Sequence, residues 1–288
     1  MTSKLAGQLG TFGVWRAAPQ VSPELAAQLE QLGYGTLWLG GSPAADLEIV
    51  DRLLAATTTL TVGTSIVNMW QSDPATVARS YARIETGFPG RFVLGVGAGH
   101  REATPDYASP YDTLASYVDQ LEAARVPLER VVLAALGPRV LKLAADRTAG
   151  AIPYLVPAEH TRQARKILGP DKLLAPEHKV VLDPEPLTAR ELGSRRVRMP
   201  YLGLVNYTAN LRRLGYNDED LSGGGSDRLV DAVVAHGTTE QVAAGLAEHL
   251  DAGADHVCVQ MLTRGDTDPV PHYADLARAL ALTPRPGA

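Results

Sequence analysis

The chain has 288 residues, 45% of them hydrophobic and 20% charged, a balance that excludes a disordered polypeptide and allows a large buried core. A formal net charge of -5 speaks against nucleic acid or an anionic membrane as partner, and one cysteine, Cys258, excludes an intramolecular disulfide. No apolar run reaches the roughly 18 residues of a membrane span, and Met1–Gly10 lacks a signal pattern, so the sequence reads as a soluble cytoplasmic protein.

Taken in chain order, short apolar runs predict strands over Leu9 to Trp15, Thr36 to Leu39, Leu60 to Val67 and Phe92 to Val96. Four more follow over Val131 to Ala134, Ala151 to Val156, Leu173 to Leu182 (interrupted by Pro176) and His256 to Leu262. Amphipathic segments separate them. Ser22 with Pro23, and Asp73 with Pro74, are helix starts, and Thr238 with Gln241 forms a capping box ahead of Val242, Leu246 and Leu250. Eight strands alternating with helices predict one α/β domain, a single (β/α)8 barrel, for which roughly 250 residues is typical. Residues 183–236 break the rhythm and read as a helical insertion at the C-terminal rim, between the seventh strand and the last helix.

In such a barrel, chemistry belongs to the C-terminal ends of the strands. That rule selects Trp15 and Arg16, then Gly40, Gly41 and Ser42, then Ser65 to Gln71. It next selects Gly97, Gly99 and His100, then Leu136, Gly137 and Pro138, then Tyr154, Val156 and His160. In RFVLGVGAGH, Gly95, Gly97 and Gly99 admit either a flat ring or a crowded barrel corner. Gly137 and Pro138 lead straight into a helix, which is either a phosphate seat or an ordinary tight turn. His100 has a side chain able to exchange a proton near neutral pH. The other histidines show no metal-ligand spacing, and no metal is expected.

Three blocks together resemble the luciferase-like monooxygenase superfamily, and more closely its branch that uses the deazaflavin coenzyme F420: TVGTSIVNMW (61–70), FPGRFVLGVGAGH (88–100) and AALGPRVLKLAADRTAG (134–150). The resemblance implies a cis peptide between Ser65 and Ile66, with Ile66, Val67 and Asn68 along a cofactor ring and Gly97, Gly99 and His100 beside it. It places the cofactor side chain and phosphate at Leu136, Gly137, Pro138, Tyr154 and Val156. It further implies hydride transfer between F420 and a small-molecule substrate, with FMN as the alternative cofactor and a homodimer as the assembly, and leaves His100 as the candidate proton-transfer residue. Trp15, Trp70, Tyr201, Asn206 and Tyr207 are the expected substrate contacts. Arg195, Arg196 and Arg198 either meet an anionic tail or form a solvated basic face. The chain departs from the family pattern at Gly40 to Ser42, where an acidic residue is usual, and at His100, where glutamate is common. A barrel that binds the cofactor without turnover is therefore a third reading.

Overall fold

The computed structural model describes residues 4–104, 109–265 and 267–284, so the first three residues of Met1–Gly10 lie outside it. Its strands are β1 (Phe12–Ala17), β2 (Thr36–Gly40), β3 (Thr61–Ser65), β4 (Val67–Asn68), β5 (Phe92–Gly97), β6 (Val131–Leu133), β7 (Gly150–Ala151), β8 (Leu173–Leu174), β9 (Glu177–Leu182), β10 (Val234–Gly237) and β11 (Val257–Met261). All pair in parallel, in the order β10-β9-β11-β1-β2-β3-β5-β6-β7-β8, with β4 on β5. The run 173–182 supplies both β8 and β9. Ala175 N–H donates to Ala151 O and Glu177 N–H to Pro153 O, while Cys258 N–H donates to Pro176 O. One chain segment thus joins β7 on one side to β11 on the other, and the barrel closes.

Side chains alternate across each strand. Leu37 and Leu39 face the helices, whereas Trp38 points into the barrel with Trp15, Val93, Val132, Ile152, Leu173 and Cys258. The interior is filled rather than open: a β-carbon on Gly63 would lie 2.4 Å from the Trp38 ring. Helix Lys4–Leu9 closes the bottom, with Leu5, Ala6 and Leu9 in the same interior cluster. The expected caps are present, since Ser22, Asp73 and Thr238 accept from the N–H groups of Leu25, Thr76 and Gln241.

Several boundaries differ from the sequence reading. Leu9 ends a helix instead of starting a strand. The strand expected over Ala151 to Val156 is only Gly150–Ala151, because Pro153 has no N–H to pair and Leu155 takes a left-handed φ of 53°. The third strand divides at Ile66 into β3 and β4. The segment 183–236 holds helices Pro186–Arg198, Val205–Arg213, Asp218–Leu221 and Asp227–Val233, then turns into β10, which pairs with the end of β9. A further helix, Val270–Ala279, follows the last strand. A third core roofs the rim, bringing Val197, Leu204, Tyr207 and Leu211 of the helices onto Leu155, Val181 and Leu262. Among the described residues no helix is long and apolar enough to cross a membrane.

Candidate functional site

The Ser65–Ile66 peptide at the end of β3 is cis. Beyond it the chain pairs again, Val67 with Val96 and Asn68 with Gly97, so the bulge sits against the end of β5. The glycines of β5 serve this packing. A β-carbon on Gly95 would lie 1.9 Å from Thr64 O, one on Gly97 2.8 Å from the Ala134 β-carbon, and one on Gly99 2.7 Å from Asn68 Nδ2. They make room for the protein itself at a crowded corner. Asn68 Oδ1 accepts from Trp70 N–H and the Trp70 indole donates to Ala98 O at 2.8 Å, which ties the two turns together.

The mouth above Ser65 is lined with rings. Trp15 Nε1 donates to Ser65 Oγ at 3.0 Å, and its indole stands 5.3 Å from the Tyr154 ring. Tyr154, Tyr201 and Tyr207 form a triangle with centroid separations of 5.2, 5.1 and 6.2 Å, and His100 lies 5.6 Å from Tyr207. The Tyr154 hydroxyl bonds to the Tyr201 hydroxyl at 2.6 Å and to Gln260 Oε1 at 2.8 Å. Beneath them Lys179 Nζ lies 3.9 Å from the Tyr154 ring centre and 3.1 Å from Glu177 Oε1, both side chains fully buried. Glu177 also accepts from Leu155 N–H. Burial pushes the Glu177 carboxyl up and the Lys179 ammonium down, each opposed by its partner's charge. Burial likewise holds His100 below the ordinary histidine value, against the pull of Glu102 and Asn206. Burial thus favours the neutral imidazole, the form that can accept a proton.

A cleft of about 360 Å³ opens beside the mouth between the start of helix Pro138–Arg147 and helix Val205–Arg213, lined by Arg101, Leu136, Gly137, Asn206 and Arg213 among others. A β-carbon on Gly137 would lie 3.7 Å from Arg213 Nη2. A larger cavity, about 840 Å³, lies at the opposite end of the barrel around Tyr81, Glu85 and Arg130, away from the strand ends where barrel chemistry sits.

The structure thus brings together Trp15, Ser65, Tyr154, Tyr201, Tyr207 and His100 in one group. Leu136, Gly137 and Asn206 meet in the adjoining cleft, while Asn68, Trp70, Gly97 and Gly99 meet at the bulge. Val67 is wholly buried among the helix-facing residues, and Val156 is wholly buried as well. Pro138 is exposed as the first residue of its helix. Sequence reasoning missed Glu177, Lys179, Gln260 and Arg213. The signal for the first two was present: charges two apart in an apolar strand point to one face, here the barrel interior.

A family model of the luciferase-like monooxygenases matches residues 6–125. The match spans β1 to β5 and includes the bulge and the glycine turn. Among solved structures, apo-MsnO8 is 20% identical with a TM-score of 0.70, covering 96% of this chain and 99% of that one. An F420-dependent secondary alcohol dehydrogenase in complex with an F420-acetone adduct is 15% identical with a TM-score of 0.70, over 94% and 98%. A type II Baeyer-Villiger monooxygenase, the oxygenating constituent of 3,6-diketocamphane monooxygenase from Pseudomonas putida in complex with FMN, is 14% identical with a TM-score of 0.66, over 93% and 95%. These likenesses establish the luciferase-like barrel fold. No curated protein sequence matches the chain.

Proposed function

We propose that this chain is a luciferase-like oxidoreductase that uses a flavin-type cofactor, F420 ahead of FMN, on a small organic substrate. The observation that carries the reading is the bulge after β3 seated against the end of β5, where Val67 pairs with Val96 and Asn68 with Gly97, within the span of the family match. The adjoining cleft fits the anionic end of such a cofactor: Gly137 precedes a ten-residue helix whose first residue, Pro138, has no N–H but whose next two, Arg139 and Val140, present theirs at the positive end of the helix, and Arg101 and Arg213 add positive charge. When bound, F420 supplies a hydride-transfer centre at its C5. The chain's own part is to hold the ring against Ile66 and Asn68, to exclude water with Tyr201 and Tyr207, and to exchange a proton at His100.

Tyr154, Tyr201 and Tyr207 hold the space over the bulge, so a ring seated there would require Tyr207 to move aside. The same packing, with no acidic group at Gly40 to Ser42, favours a second reading, a barrel that binds the cofactor without turnover. The F420 choice is supported by the branch resemblance and by the F420-dependent dehydrogenase among the structural neighbours. A fluorescence titration of the purified protein with F420 and with FMN tests it. Saturable F420 binding is expected; tight binding of FMN alone overturns the F420 choice, and binding of neither overturns the redox reading.

A further inference from the structure

Across the barrel from Gly137, a second cleft of about 350 Å³ opens between the ends of β1 and β11 and the helix Pro186–Arg198, with Trp15, Arg16, Gln20, Arg196, Gln260 and Thr263 among its walls. We infer that this cleft binds the anionic group of a small organic acid, recognised by Arg16 and Arg196.

The cleft presents charged donors that no described carboxylate meets. Among the described residues neither Arg16 nor Arg196 has a carboxylate partner; the Arg16 guanidinium meets only the neutral Tyr273 hydroxyl, and its enclosed Nε has no hydrogen-bond partner. The one described carboxylate in the wall, Asp268, already accepts from Val270 N–H at 3.0 Å. Gln260 spends its Oε1 on the Tyr154 hydroxyl, which leaves its amide N–H groups for a ligand. Trp15 gives its N–H to Ser65 and so offers the cleft only ring surface. Two guanidiniums, an amide and a hydroxyl beside an indole suit an acceptor-only group, a carboxylate or phosphate, attached to an apolar body. The volume lies within the usual range for small ligands, roughly 300–1,000 Å³.

The Gln260–Tyr154 bond links this cleft to the mouth, so an acid held here has its body directed toward the tyrosines above Lys179. The inference deepens the oxidoreductase reading by giving its substrate class, and rests on it for that role. Anion binding itself is testable without cofactor.

The experiment is isothermal titration of the cofactor-free full chain with benzoate and phenyl phosphate, and with benzamide as the neutral isostere. At least one acid is expected to bind ten times more tightly than benzamide, to weaken as sodium chloride is raised, and to lose at least tenfold in Arg16→Gln and in Arg196→Gln. Arg196 is exposed, so its variant keeps the test valid should Arg16→Gln fold poorly. Equal binding of benzamide, unchanged binding in Arg196→Gln, or no binding of either acid overturns the inference. A protein that binds the acids but neither F420 nor FMN keeps this site and loses the redox reading.

Discussion

The indole of Trp15 lies so close over Gly40 that a β-carbon there would sit 1.9 Å from Cζ2 of the ring. β1 and β2 are neighbours, and Ala17 pairs with Gly40 at their ends, so the ring crosses to the adjacent strand. Ser65 fixes it there through the indole N–H. With Trp15 in this place, position 40 has no room for a side chain. Gly40→Asp is therefore expected to destabilise the protein by about 1–3 kcal/mol through overpacking, measured by urea denaturation. Paired with Trp15→Ala it is expected to cost less than the two single changes summed, because the residues share one space. Strict additivity would show that the contact is not the cause.

The Glu177–Lys179 pair has no water to fall back on. Lys179→Met leaves a buried carboxylate alone and is expected to cost about 3–5 kcal/mol, whereas adding Glu177→Gln recovers much of that loss. Denaturant midpoints of the two variants decide the matter. A single variant as stable as the parent would contradict the buried pairing.

Acid sensitivity follows from the buried histidines. Burial lowers His249 and His256 to about 4 and holds His178 well below the ordinary histidine value. His256 accepts from the Trp38 indole and donates to Gly10 O, which fits a neutral ring. An unfolded histidine titrates near 6.5, so between about pH 6.5 and 4 the unfolded chain binds protons that the native chain refuses. Stability is complete above about pH 6.5 and falls as the pH drops through that window, by up to ~1.4 kcal/mol per pH unit for each histidine. Melting temperatures at pH 7 and pH 5 are expected to differ clearly. A flat profile would contradict the burial.

Much of this was legible because it is local. Ser22, Asp73 and Thr238 announce helix starts by side-chain chemistry alone, and the apolar runs mark most strands. The Ser65–Ile66 bulge was legible only through resemblance, since nothing in the residues themselves requires a cis bond. β10 was missed because Val233, Val234 and Ala235 continue the apolar spacing of the preceding helix, and only pairing with β9 makes them a strand. The tyrosine group was partly named from the sequence. That Tyr201 and Tyr207 descend onto Tyr154 from an insertion some fifty residues away is a tertiary fact with no local signature.

If the chain turns over with F420, His100→Ala is expected to lower kcat by about 10²-fold or more with little change in cofactor affinity. The pH profile adds a separate readout, because a base whose pKa is held down by burial keeps the rate level from neutral pH down past the ordinary histidine value. An unchanged kcat in the variant would remove His100 from proton transfer.

The most direct measurement is a crystal structure of the protein grown with F420. The ring is expected against Ile66 and Asn68 with Tyr207 displaced, and the phosphate beside Gly137 and Arg213. A ring bound at the opposite end of the barrel, or a mouth in which Tyr154, Tyr201 and Tyr207 stay as they are at saturating F420, would contradict this placement.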